Sequence, residues 1–318
     1  MRPILCSYYI TYRCNARCAF CGIWQDPTLQ RSIEADPEDV VRNLKQARYL
    51  GVRFVDFTGG EPLLYEPLPK LLSHAKKMGL WTSVTTNCLL YPERAKDLSG
   101  LVDLLHFSLD SDRAEVHDRL RGVESFHRVL ESIEIAKGLS ECPDLLFTVT
   151  ADNFEAMTKL AKFAREQRLI LIINPTFSYF GNDPMPPEAD RLIYEVSGYP
   201  YVYVNRALIR LIRSGGNNPR NPRCRAVTST IVISPDNCLL LPCFHHRQRN
   251  LPIDGNLSEV WEGGIAQSER RMEGRHAFCK GCTINCYFDP SFLYKFDIYF
   301  TYSLLSKVKY AFDKYLRR

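Results

Sequence analysis

Over the first 175 residues, short β-rich runs alternate with amphipathic helical stretches, and this alternation limits the possible folds more than any other feature of the chain. The runs 4–11, 52–58, 80–86, 104–110, 145–150 and 169–173 are rich in Val, Ile, Leu, Phe, Tyr and Thr, residues that suit a pleated, buried surface. Between them, 37–50, 67–78, 92–98, 126–137 and 154–167 carry apolar residues at helical spacing, several opened by Pro or by an Asp or Asn cap. Strands joined by helices in this way pair in parallel through right-handed crossovers. The expected class is therefore α/β, an open sheet or a barrel, with chemistry where the loops converge at the C-terminal strand ends.

Beyond residue 175 the pattern changes. The segment 176–223 is broken by Pro184, Pro186, Pro187, Gly198, Pro200, Gly215, Gly216, Pro219 and Pro222, with a short basic helix at 205–213, and reads as a connector. A hairpin is expected from 230–234 and 239–241 around Pro235, Asp236 and Asn237. No window reaches the roughly 18 apolar residues of a membrane span, and the N-terminal apolar run lacks a small-residue cleavage site. A cytoplasmic location is expected. Hydrophobic residues make up 45% of the 318, enough for a large core. The net charge of +5 is small for this length and does not point to nucleic acid.

The twelve cysteines are too sparse for a disulfide-stapled scaffold, yet they are not scattered. Cys14, Cys18 and Cys21 form a C-x3-C-x2-C triplet directly after the first β run. Cys224, Cys238, Cys243, Cys279, Cys282 and Cys286 form a second group, and only Cys88 and Cys142 lie between the two. Three thiolates on one short loop suit three corners of a cubane iron–sulfur cluster with the fourth iron left open. Structural zinc wants four closed ligands, which the triplet lacks locally. In the second group, Cys224, Cys243, Cys279 and Cys282 supply four thiolates, a full set for a further cluster and also a zinc-ribbon signature.

These residues, in this order, resemble the radical S-adenosylmethionine (SAM) enzymes over about residues 4–175. The triplet, with Phe20 before its last cysteine, looks like that superfamily's cluster loop. Thr58-Gly59-Gly60-Glu61-Pro62, at the end of the second β run, looks like its GGEP motif. Thr85-Thr86-Asn87 and Ser108-Leu109-Asp110 stand at the next two strand ends, and His117, Asp118, Arg121 and Gly122 are similar to the family's HDxxRG stretch. Cys88 and Ser111 replace glycines common in the branch with a C-terminal cluster.

The resemblance implies a partial (β/α)6 TIM-like barrel (residues 1–175), the connector (176–223), a small Cys-rich Twitch/SPASM-like auxiliary cluster domain (224–290) and a C-terminal helix (291–318). It implies a SAM-binding 4Fe-4S cluster on Cys14, Cys18 and Cys21. It also implies one auxiliary 4Fe-4S cluster on Cys224, Cys243, Cys279 and Cys282, with Cys286 or Cys238 as alternative ligands. SAM would be held by Phe20, Gly59, Gly60, Glu61, Thr86, Asn87, Ser108, Asp110 and Arg121, with Glu61 on the methionine amino group and Arg121 on its carboxylate. The implied reaction is reductive cleavage of SAM to a 5′-deoxyadenosyl radical that takes hydrogen from an unactivated carbon, with flavodoxin or ferredoxin as reductant. No acid or base is assigned. The substrate could be a small molecule, a lipid or a peptide, as in peptide or sulfatase maturases. The absence of a recognition segment before Cys14 weighs against a leader peptide. From another class, a non-catalytic protein binding zinc and RNA remains the rival. His245 and His246 are expected in an exposed loop.

The tail 291–318 holds six basic residues, including Arg318, against two acidic ones, so most of the net charge sits there. Leu304, Leu305, Val308 and Phe312 fall at helical spacing with lysines on other faces. Such a helix either packs on the barrel or lies peripherally on the inner face of a membrane, lysines at the headgroups.

Overall fold

The computed structural model describes residues 1–29, 33–177 and 185–317; Pro184 and Arg318 lie outside them. The elements run in chain order β1 (Leu5–Thr11), α1 (Pro37–Leu50), β2 (Phe54–Gly59), α2 (Leu68–Lys77), β3 (Trp81–Thr86), α3 (Tyr91–Leu98), β4 (Leu104–Ser108), α4 (Ala114–Arg121), α5 (Phe126–Gly138), β5 (Asp144–Val149), α6 (Met157–Gln167) and β6 (Leu171–Pro175). They continue with α7 (Pro187–Val196), β7 (Val202–Tyr203), α8 (Arg206–Arg213), α9 (Ala226–Ser229), β8 (Thr230–Ile233), β9 (Cys238–Leu241), β10 (Arg249–Pro252), α10 (Leu257–Glu262), α11 (Gly264–Met272), α12 (Asn285–Ser291) and α13 (Ile298–Ala311). One sheet has the order β10-β9-β8-β1-β2-β3-β4-β5-β6-β7. From β8 through β7 every neighbouring pair is parallel. This is the α/β class expected from the alternation, in the partial-barrel form that the resemblance implies. The short strands β7 and β10 have too few residues to carry a legible period.

Helix α1 illustrates why the elements form. Asp36 caps it by accepting from the amides of Glu38 and Asp39, and Pro37 occupies the first turn. Its buried face is Val40, Asn43, Leu44, Ala47 and Leu50, the i, i+3, i+4, i+7 stripe of an amphipathic helix. That stripe packs against Cys6, Tyr8 and Ile10 on the outer face of β1. Asn43 Nδ2 donates to the Tyr8 hydroxyl at 3.0 Å, so its buried amide is satisfied. Leu44 is fully buried, and truncating it to Ala would cost about 2–5 kcal/mol.

The strands bury Cys6, Tyr8, Val55, Phe57, Val84, Phe107, Leu145 and Phe147 toward the helices. The alternate residues face inward, and many are polar. Ser7, Asp56 and Ser83 form one rung of the register, and His106 and Asp144 lie side by side on another. The hairpin β8–β9 continues the sheet past β1, so the segment after Cys224 is laid directly along the first strand.

The C-terminal helix reverses the usual polarity. Ser303 and Ser306 are buried against α8, where the Ser306 hydroxyl accepts from the Arg206 amide. Lys307 reaches Asp289 at 2.7 Å, Lys309 reaches Asp313 at 2.8 Å, and Lys314 reaches Asp144 at 2.7 Å. Tyr310 donates to the other Asp144 oxygen, closing the N-terminal end of the barrel. The apolar row is the outward one, with Leu305 59% and Val308 57% exposed. The expected lysine arrangement at a headgroup layer is therefore corrected: three of these lysines face carboxylates of the protein. Among the described residues, no helix is long and apolar enough to cross a membrane.

Candidate active site

At the C-terminal ends of β1–β4, the loop after β1 carries the cysteine triplet over a pocket of about 200 Å³. Its walls are Cys14, Cys18, Phe20, Cys21, Thr58, Gly59, Gly60, Glu61, Thr86, Asn87, Ser108 and Arg121 among others. Every sequence-identified residue of the first site except Asp110 therefore meets in one cavity. Asp110 stands one layer behind, fully buried, with its Oδ2 2.6 Å from Arg121 Nε. Burial opposes the guanidinium charge, but the Asp110 carboxylate outweighs it and holds Arg121 protonated above its ordinary range. Arg121 in turn lies 3.7 Å from Cys18 Sγ and 5.4 Å from the Phe20 ring centre.

The glycines of the Gly-Gly-Glu turn serve a packing need. Gly59 has φ +144°, and a Cβ there would lie 1.9 Å from the Thr11 carbonyl oxygen; one on Gly60 would lie 2.1 Å from that of Arg13. The amides of Gly60 and Glu61 donate to these same two carbonyls. The glycines thus let the turn clamp the chain leaving β1, which becomes the cluster loop. Glu61 accepts from the amides of Leu63 and Asn87, and burial pushes its carboxyl above the usual range.

The 117–122 stretch fixes the other side of the loop. Asp110 N donates to His117 Nδ1 at 3.0 Å, and burial holds that imidazole down to about 3, hence neutral. Asp118 Oδ1 accepts from the amides of Ser125 and Phe126, joining α4 to α5. Gly122 ends α4 in the left-handed region, and a Cβ there would lie 2.6 Å from the Arg17 carbonyl oxygen. The amides of Arg17 and Ala19 donate to the carbonyls of Arg121 and Leu120. Trp24 Nε1 donates to the Cys18 carbonyl at 2.9 Å.

The second group converges separately. Cys224, Cys243, Cys279 and Cys282 line one enclosed space with His246, Phe278 and Tyr287. Burial raises all four, Cys243 to about 12 and Cys279 to about 11, and neighbouring sulfurs add to the rise at Cys224, Cys243 and Cys279. A hub that sequence reasoning missed holds these segments together. Asn217 donates to the carbonyls of Gly274 and Cys279, accepts from the amides of Arg223 and Cys224, and exchanges backbone hydrogen bonds with Gly281 and Cys282. Its sequence signal was the Gly215-Gly216-Asn217 turn: Gly216 has φ +79°, and a Cβ there would lie 2.3 Å from the Gly281 carbonyl oxygen. Glu273, also missed, is buried and accepts from the amide and hydroxyl of Thr228.

Cys238 and Cys286 stand apart from this group. Cys238 sits at the hairpin beside Asp236. Cys286 is exposed to the barrel interior, and its thiol is raised to about 11 by burial and then by the charges of Asp56 and Asp289. Asp56 itself is raised to about 6 by burial, against a hydrogen bond from Ser83. Nearby, Asn285 Nδ2 donates to Asn174 Oδ1 at 2.8 Å, while the buried Asn285 Oδ1 has no hydrogen-bond partner among the described residues. His245 is not in an open loop: it packs edge-on against Phe177, Phe244 and Tyr287.

The chain is similar to known proteins. Residues 8–164 match the sequence model of the radical SAM superfamily. A probable GTP 3′,8-cyclase of Thermococcus kodakarensis is 37% identical over 128 residues, 40% of this chain and 41% of that protein. The PqqA peptide cyclase of Bradyrhizobium diazoefficiens is 33% identical over 153 residues, 47% of this chain and 39% of that protein. The matches thus span less than half of either relative. The crystal structure of Streptococcus suis SuiB bound to its precursor peptide SuiA superposes with a TM-score of 0.68 at 18% identity, covering 89% of this chain and 70% of that one.

Proposed function

Residues 8–164 make this chain a member of the radical SAM superfamily, and from that premise we propose that it is an enzyme that removes a hydrogen atom from a substrate held inside the barrel. The observation that carries the reading is the meeting of Cys14, Cys18 and Cys21 with the Gly-Gly-Glu turn, Asn87, Ser108 and Arg121 around one pocket. The donor set fits a cluster. Burial raises Cys14 to about 12, so a thiolate there needs a compensating cation, which a metal provides. When bound, the cluster and SAM supply a 5′-deoxyadenosyl radical, and an auxiliary cluster on the second site supplies an electron acceptor or shapes the cavity.

The chain's own residues do the rest. Cys14, Cys18 and Cys21 hold the first cluster, leaving one corner for SAM. Glu61 and Asn87 bind the amino end of methionine and Arg121, oriented by Asp110, the carboxylate. Phe20, Gly59, Gly60, Thr86 and Ser108 shape the remaining walls. Cys224, Cys243, Cys279 and Cys282 hold the auxiliary cluster in the 224–290 region. Four sulfurs lining one space, as these do, suit a cluster.

Asp56 is the residue that accepts a proton from the oxidised substrate, and Asn285 Oδ1 is a free acceptor for a substrate N–H or O–H. With Asp56 near 6, product formation falls as pH drops through about 6, and Asp56→Asn lowers it by roughly 10²–10⁴; an unchanged pH profile in the variant would remove Asp56 from this role. Anaerobic reconstitution tests the whole reading. About eight irons per chain and 5′-deoxyadenosine after reduction are expected. Stoichiometric zinc with no SAM cleavage would overturn it in favour of a metal-binding protein.

We also propose that the protein works at a membrane surface, with the outward row of α13 and of the helical turn 312–316 that follows it as its contact. Ile298, Leu304, Leu305, Val308, Phe312 and Leu316 are all more than 40% exposed with no charged residue in the row. Exposed contiguous apolar surface of this kind marks an interaction face. Leu305→Ser with Val308→Ser should lower vesicle binding; binding equal to wild type would remove this contact.

A further inference from the structure

Beside that apolar row runs a groove of about 360 Å³ between α7, α8 and α13. Its floor is Ile193, Val204 and Ile209, and its rim carries Arg206, Arg210 and Arg213. The three arginines follow from the sequence of α8: the buried Ala207, Leu208, Ile209 and Leu211 turn them outward together. Arg213 pairs with Asp190 at 2.8 Å. Arg210 lies about 6 Å above the rings of Tyr299 and Tyr302, which hold it in place without neutralising it. Among the described residues, no carboxylate pairs with Arg206 or Arg210. Lys307 and Lys309 of α13 and Lys314 just after it cannot serve in their stead, since they are tied to Asp289, Asp313 and Asp144.

We propose that this groove is a headgroup site for an anionic phospholipid, with Arg206 and Arg210 on the phosphate and the α13 row in the acyl layer. The inference rests on the membrane reading above and adds the lipid class and the residues that read it. Guanidinium forks suit phosphate oxygens, and the tyrosines give the amphipathic edge that an interface favours. A second copy on the same face would bring two equally basic rims together, whereas an anionic bilayer complements both the charge and the apolar row. The groove flanks β7, away from the cysteine pocket, so the site recruits the protein to a surface rather than holding its substrate.

The experiment is co-sedimentation of the full-length reconstituted protein with vesicles of phosphatidylcholine alone or with added phosphatidylglycerol. Wild type should prefer the phosphatidylglycerol vesicles by at least tenfold. Arg206→Gln and Arg210→Gln should each lower that binding about fivefold, the ~1 kcal/mol typical of a basic residue at an anionic surface, with iron content unchanged. Lys45→Gln on α1 should have no effect. Binding by the arginine variants equal to wild type overturns the groove assignment while leaving the α13 contact standing. Equal binding to both vesicle types overturns the anionic class. Failure of wild type to bind either vesicle overturns both readings, and concentration-dependent dimerisation abolished by Leu305→Ser would then assign the face to a second copy.

Discussion

The two cysteine sites are built from different amounts of chain. The first takes three cysteines from one eight-residue loop, 14–21, and fills the rest of its wall with strand-end polar groups: Thr86, Asn87, Ser108 and Arg121. The second takes four cysteines from three segments and surrounds them with Phe278, Tyr287 and Phe288. One is a partial shell that leaves room for a polar ligand. The other is a full shell walled by aromatics. The difference teaches that sulfur count alone does not assign a role; what completes the wall does. An incomplete shell beside hydrogen-bonding groups suits chemistry at the metal, while a complete shell in apolar surroundings suits electron transfer or structure.

The largest effect that would break this contrast is expected from paired ligand variants. Cys18→Ala should abolish 5′-deoxyadenosine formation and remove about half of the iron, whereas Cys282→Ser should also remove about half yet leave SAM cleavage measurable. Loss of cleavage in both would mean that the two sites are not separable. Next in size is the ion pair behind the pocket. Asp110→Asn leaves the buried Arg121 uncompensated, and denaturant titration should show a loss of about 3–5 kcal/mol together with weaker SAM binding.

Smaller again is the clamp on the loop. Gly122→Ala sets a Cβ against the Arg17 carbonyl in a left-handed conformation and should cost about 1–3 kcal/mol, with faster iron loss on exposure to chelator. The smallest effect is in pH dependence. Burial keeps His117 neutral down to about 3, whereas in the unfolded chain it protonates near 6.5. The unfolded state therefore takes up its proton first, and stability falls as pH drops from about 6.5 toward 3. In His117→Gln, urea midpoints at pH 7 and pH 4.5 should differ less than in wild type.

Much of the first site was legible because its parts are local. Cys14, Cys18 and Cys21 share one loop, Gly59 to Glu61 one turn, and the ends of parallel strands must lie together. In the second site the four cysteines were legible but the scaffold that brings them together was not. Asn217 joins Gly274, Cys279 and Cys282 from 57 to 65 residues away through side-chain and backbone hydrogen bonds, which leave no periodic trace. Asp56 was hidden in another way. A lone carboxylate in a strand reads as solvent-facing, and only the curvature of the sheet turns that face inward.

By itself, then, the sequence determined the alternating architecture, the cluster loop and the four-cysteine set, because side-chain periodicity and motif spacing act over a few residues. Only the tertiary structure decided which way the last helix faces and where Cys286 points. Amphipathicity defines a stripe but not its partner. Here Asp144, Asp289 and Asp313 draw the lysines inward, since a buried carboxylate is costly unless paired, and the apolar row is left on the surface.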